Sequence, residues 1–202
     1  MSHEELIDRY KSAIAKRDLT TEDGLKAAAI ISAQAEKEGV ECALAGGIAM
    51  HIFGYLRATQ DVDMIASGKL NLPSQDKLSI GGESYLVRVG ERDITVDVIV
   101  RNDFFRDFYQ AALHDAQALP NGWRIITPEW MVILKFLSGR GKDILDLLWL
   151  LKEPGLVDRG KIARLLEQVM GKTGAEVALR GLESFYVQAE VMRAGDKNGK
   201  RE

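Results

Sequence analysis

The chain has 202 residues, 46% of them hydrophobic, which is enough to bury one substantial core or a core domain with a helical appendage. A formal charge of −3 argues against a broad nucleic-acid-coating surface, and the single cysteine, Cys42, excludes an intramolecular disulfide. No apolar run approaches the ~20 residues of a membrane span, and no basic-then-apolar leader is visible, so a soluble, cytoplasmic chain without membrane contact is expected.

In chain order, Thr20 or Thr21 is placed to cap a helix over residues 22–38, with Asp23 set for reciprocal capping and Gly39 as its stop. Leu25, Ala28, Ala29, Ile30 and Ile31 supply its apolar face. Residues 41–45 read as an inner strand ending at Gly46-Gly47, and residues 47–54 suit a short helix. Asp61 to Ile65 reads as a strand. Tyr85 to Val89 and Ile94 to Val100 read as a strand pair joined by residues 90–93. Asp97 is the only charge in a β-branched run, so its strand should be central and its carboxylate in need of a partner, either a metal or an arginine such as Arg88. Residues 103–113 read as a helix and Trp123 to Ile126 as a last short strand.

From Thr127-Pro128-Glu129 the pattern becomes helical, with Thr127 as N-cap, Pro128 at the first helical position, and helices expected near 128–138, 142–152, 158–170 and 173–193. The expected fold is therefore α/β (α+β), a mixed sheet flanked by helices and followed by a C-terminal helical bundle. Its parts are a core over 1–126, a helical subdomain over 127–194 that completes the site, and a frayed polar tail over 195–202.

The chemistry concentrates between residues 44 and 100. Asp61 and Asp63, at i and i+2 on a strand, leave the same face and can share a divalent cation, and Asp97 can join them if the sheet pairs the two strands. Three converging carboxylates repel unless cations neutralise them. Gly46 and Gly47 sit where a strand becomes a helix, where a backbone without Cβ lets phosphate oxygens approach unpaired N–H groups. No P-loop motif and no Gly-x-Gly-x-x-Gly after a strand is present, which disfavours those nucleotide folds.

The Gly-Gly pair, the 13-residue spacer, Asp61-Val62-Asp63 and the later strand aspartate together resemble the DNA polymerase beta-type nucleotidyltransferase superfamily. The resemblance implies that Gly46 and Gly47 hold a triphosphate and that Asp61, Asp63 and Asp97 bind two Mg²⁺ ions, with Mn²⁺ as a substitute. It further implies in-line attack on the α-phosphate. The superfamily often carries serine after the glycines; this chain has Ile48, so phosphate contact there would rest on the backbone, Arg57 or Thr59.

In the helical part, Lys135 is the only charge in an eight-residue apolar stretch, and Asp143 and Asp146 share a face of the next helix at i and i+3. An ion pair from Lys135 to either aspartate is the plain reading. Met131-x-x-x-Lys135 followed by Lys142-Asp143-x-x-Asp146-Leu147 also resembles the abortive-infection nucleotidyltransferase toxin branch. That resemblance implies that Lys135 acts toward the nucleotide and Asp143 as an acidic catalytic residue, and that an antitoxin protein is the partner.

The leading expectation is a metal-dependent transferase that moves a nucleoside monophosphate from an NTP to a hydroxyl acceptor on RNA, protein or a small molecule, releasing pyrophosphate. The alternatives are an antibiotic-modifying nucleotidyltransferase and a catalytically silent nucleotide- or protein-binding module on the same fold. Arg57, Arg88, Arg92, Arg101, Arg106, Arg124, Arg140 and Lys142 could form a local RNA-binding patch, although scattered solvated charges are the plainer reading. His51 stands without a second ligand at metal spacing, His3 and His114 are remote, and Cys42 reads as core.

Overall fold

The computed structural model describes residues 5, 18–120 and 122–198. Contacts gather them into two compact units, 18–51 with 56–100 and 52–55 with 101–198. None of the described helices is long and apolar enough to cross a membrane.

The first unit opens with helix α1, Thr21–Lys37. Thr20 is its N-cap: the residue is extended and its hydroxyl accepts the Asp23 N–H at 3.0 Å. Asp23 does not complete the reciprocal cap; its carboxylate instead takes a hydrogen bond from Arg92 at 3.0 Å. The buried stripe is Gly24, Ala27, Ala28, Ile31 and Ala35, a spacing of three and four that is rotated from the expected one and leaves Ile30 47% exposed. Small side chains on this stripe bring α1 close to β1, β2, β4 and β5.

Those strands are β1 (Cys42–Ala45), β2 (Asp61–Ala66), β4 (Gly82–Val89) and β5 (Arg92–Ile99), with the short β3 (Asp76–Lys77) beside β4 and helix α2 (Gly46–Ile52) following β1. The sheet of this unit runs β3-β4-β5-β2-β1 and is mixed: β2 and β5 are parallel, and the other neighbours antiparallel. β5 is central, as its β-branched run required. Its hairpin with β4 is tighter than expected, closing on Gly90-Glu91 with Val89 opposite Arg92, and Gly90 takes φ +59.

The second unit contains the 52–55 segment, helix α3 (Arg106–His114), a two-strand antiparallel ladder of β6 (Gln117–Ala118) and β7 (Arg124–Ile125), and helices α4 (Pro128–Ser138), α5 (Gly141–Lys152) and α6 (Arg159–Asn198). α6 is broken at Gly171 (φ 70, ψ 171), the break expected between 170 and 173. Trp130, Ile133, Leu147, Leu150, Ile162, Leu166 and Leu182 are fully buried. α3 and the ladder group with the helices in this unit. Trp130 Nε1 donates to Asp115 at 2.9 Å, and Arg124 donates to the carbonyls of Leu113, His114 and Ala116, which binds that segment to α4.

Residues 195–198, expected to fray, continue α6. Arg193 donates to the terminal carbonyls of α5 at Leu151 and Lys152, and Lys152 pairs with Asp196 at 2.7 Å. Replacing Thr20 by Ala removes the α1 cap and should lower stability by about 1 kcal/mol, read as a shift in the urea midpoint without a change in slope.

Candidate active site

Alternation along β2 buries Val62 and Met64 and leaves Asp61 and Asp63 half-exposed on the opposite face. In β5, Val96 and Val98 are buried, and Thr95 and Asp97 share the other face. The parallel register sets Asp63 opposite Asp97 and Asp61 opposite Thr95. All three carboxylates therefore emerge from one face of two adjacent strands, whose backbones lie ~4.8 Å apart. Among the described residues, no group of three or more His, Cys, Asp or Glu forms a ready-made metal cage.

The glycine pair approaches this face from the N-terminus of α2. Gly46 takes φ +58, and a Cβ there would overlap the Asp63 carboxylate, whose residue is paired with Ala45 across β1 and β2. A Cβ on Gly47 would lie 2.8 Å from Thr59 Cβ and overlap its hydroxyl. Both glycines are demanded by closeness of approach, one to a carboxylate and one to a threonine.

Thr59 is buried, and its hydroxyl stands 3.3 Å from both the backbone oxygen and the Oδ1 of Asp61. The Leu19 N–H donates to the Thr59 carbonyl at 2.8 Å, which ties this loop to the start of α1. Arg57 is half-buried and donates to the Ala58 carbonyl at 3.0 Å. Asp97 accepts a hydrogen bond from Ser84, its cross-strand neighbour on β4. Ser84 escaped the sequence reading because a lone serine in a strand carries no signal until the register is known. Arg88 serves Asp93 at 2.9 Å and is not the partner of Asp97.

The donor set suits Mg²⁺. Carboxylate oxygens are its preferred protein ligands, and it is usually held by one or two of them together with substrate phosphates and water, so a closed protein cage is not required. Asp61, Asp63 and Asp97 would hold it.

Lys135 and Asp143 belong to the second unit, where they meet each other. Lys135 Nζ on α4 lies 2.5 Å from Asp143 Oδ1 and 2.7 Å from Asp146 Oδ2 on α5, and both carboxylates are fully buried. Ser138 donates to the second oxygen of Asp143, and Arg140 Nε reaches it at 2.6 Å. Burial pushes the Asp143 carboxyl up, but the hydrogen bonds from Lys135 and Ser138 and the charge of Lys135 outweigh it and hold it below the ordinary value of 3.8. Gly139-Arg140 forms the turn between α4 and α5, with Gly139 left-handed at φ 63.

Several of the arginines grouped as a nucleic-acid patch are committed to acids: Arg92 to Asp23, Arg101 to Asp103 and Arg140 to Asp143. Cys42 is buried in β1, His114 ends α3, and His3 lies outside the described residues.

Asp143→Asn should cost about 3–5 kcal/mol, because it leaves a buried lysine short of one carboxylate. Since the folded-state carboxyl sits below its unfolded value, the stabilisation is complete above pH 3.8 and is lost as the pH falls through the folded value, so the mutant's stability should fall less steeply on acidification than the wild type's. Chemical denaturation across that range measures both. Gly46→Ala should displace the Asp63 carboxylate and add roughly 1–2 kcal/mol of backbone strain, lowering the melting temperature more than Gly39→Ala, whose Cβ meets nothing.

No protein-family model matches the chain, and no curated protein matches it. Among solved structures, the chain is similar to an antigenic nucleotidyltransferase-like protein from Paracoccidioides brasiliensis, with 17% sequence identity, coverage of 82% of this chain and 95% of that one, and a TM-score of 0.47.

Proposed function

We propose that the chain is a metal-dependent nucleotidyltransferase that moves a nucleoside monophosphate from an NTP to a hydroxyl acceptor. The observation that carries this reading is the in-register placement of Asp63 beside Asp97, with Asp61 on the same face and the Gly46 backbone against the Asp63 carboxylate. A scaffold strand gains nothing from adjacent like charges on neighbouring strands, which are destabilising on their own.

Mg²⁺ held by Asp61, Asp63 and Asp97 would supply charge neutralisation for the triphosphate and a lowered pKa for the acceptor hydroxyl. The chain's own part is positional. The Gly46-Gly47 backbone offers N–H groups to phosphate oxygens without a Cβ in the way, Thr59 stands against Gly47, and Arg57 on the same loop serves as a further phosphate contact. The acceptor oxygen bonds to the α-phosphorus as the bond to the bridging oxygen breaks, pyrophosphate leaves with that electron pair, and a carboxylate takes the hydroxyl proton. Between Asp97 and Asp143, Asp97 is the better acceptor for that proton. Asp143 is fully buried and held by Lys135, Ser138 and Arg140, which lowers its proton affinity.

The acceptor is a hydroxyl on RNA, protein or a small molecule. The resemblance of the helical part to the abortive-infection branch supports a macromolecular acceptor and an antitoxin partner.

Calorimetric titration of each of the four NTPs, with and without Mg²⁺, tests the reading. One NTP should bind only with Mg²⁺, and Asp61→Asn/Asp63→Asn should abolish that binding while leaving the unfolding midpoint near wild type. Absence of binding by any NTP would instead point to a protein-binding module on the same fold.

A further inference from the structure

His51 is held at both ring nitrogens. Its Nε2 lies 2.7 Å from the carbonyl oxygen of Arg57, which can only accept, so Nε2 carries the proton and donates. Its Nδ1 lies 2.9 Å from the Thr21 hydroxyl, which donates to it in the neutral ring. One half-buried side chain thus joins the first residue of α1, the last turn of α2 and the loop ahead of β2.

That loop matters because of what it carries. Arg57 lends its carbonyl to His51; two residues on, Thr59 packs against Gly47 and holds Asp61 through its hydroxyl. Between His51 and Arg57 the chain makes a five-residue excursion, and the imidazole bond closes it. The Leu19 N–H bonded to the Thr59 carbonyl is a second tie, two residues before Thr21, where His51 contacts α1.

We infer that His51 is a positioning residue for the donor triphosphate: it fixes the 57–60 loop so that Arg57 and Thr59 border the Gly46-Gly47 backbone. The inference rests on the nucleotidyltransferase reading. His51 touches no reacting atom and acts through the Arg57 carbonyl alone.

Two substitutions separate its two bonds. In His51→Gln the amide nitrogen stands near the place of Nε2 and can still donate to the Arg57 carbonyl. In His51→Asn the shorter amide stands near Nδ1 and keeps only the Thr21 contact. ATP, GTP, CTP and UTP are each titrated with Mg²⁺ into the full chain, and backbone amide hydrogen exchange over residues 56–61 is followed without nucleotide. His51→Asn should weaken the NTP that the wild type binds by about tenfold, the loss of one well-placed hydrogen bond, and should speed exchange in the loop. His51→Gln should keep affinity within about twofold and keep the loop protected. A general loss of stability would lower both variants together, so rescue by Gln and not by Asn is the discriminating result. Equal affinities for the two variants, or faster loop exchange with unchanged affinity, would overturn the inference. If the wild type binds none of the four NTPs, the nucleotidyltransferase reading fails, and exchange alone decides the role of His51 in the loop: faster exchange in His51→Asn than in His51→Gln upholds it, and equal rates overturn it.

Discussion

The parallel pairing of β2 with β5 is the constraint on which the candidate site depends. Because side chains alternate along a strand, a shift of one residue in this register would carry Asp97 out of line with Asp63 and misalign the buried Val62, Met64, Val96 and Val98. Apolar burial and charge placement are therefore specified together: the face that packs the core leaves the opposite face to the carboxylates. Two unit charges ~5 Å apart near a protein surface repel by about 3 kcal/mol, a cost that local hydrogen bonds and the packed apolar face must offset. Ser84 on Asp97 and Thr59 on Asp61 supply such bonds.

The two charged clusters of the chain are built on opposite logic. In the second unit, a lysine stands between two fully buried carboxylates at 2.5 and 2.7 Å and Arg140 reaches one of them at 2.6 Å, so two cations compensate two carboxylates and α4 is locked to α5. Such a cluster is costly to break from one side, because the remaining charge stays buried, even where an apolar replacement of the whole set would be tolerated. In the first unit, carboxylates are set beside carboxylates on adjacent strands and remain half-exposed. An arrangement of that kind is suited to receiving a cation, and the compensated cluster is suited to holding helices together.

Much of this was legible in the sequence, and the reasons for the gaps are physical. Strongly periodic or capped elements are read well: Thr127-Pro128 starts α4 where expected, the break at Gly171 falls between the two expected helices, and the β-branched run around Asp97 is the central strand. The buried face of α1 was misread by one step, since Ile30 and Leu25 are larger than Gly24, Ala27 and Ala35, and size says nothing about which face must come close to a sheet. β3 and β6 have two residues each and no periodicity to detect. The spacing of Asp61 and Asp63 places them on one face, but the position of Asp97 beside them, and the parts of Ser84 and His51, depend on register and tertiary hydrogen bonds that no local pattern encodes.

Ile48 shows how a departure from a motif can follow from packing. Its side chain is fully buried against α1, where a Cβ added to Gly24 would lie 2.8 Å from Ile48 Cγ1. Position 48 is thus occupied in fastening α2 to α1, and an isoleucine there contributes nothing polar to the site. The two glycines before it are then constrained from two directions: α2 is held down by Ile48 on one side, and Asp63 and Thr59 crowd Gly46 and Gly47 on the other. Backbone squeezed in this way has little freedom to relax, so packing alone fixes the approach to the carboxylates. Under the proposed nucleotidyltransferase reading, preorganisation of that kind would lower the ordering cost of binding a nucleotide, with an apolar anchor at position 48 supplying it.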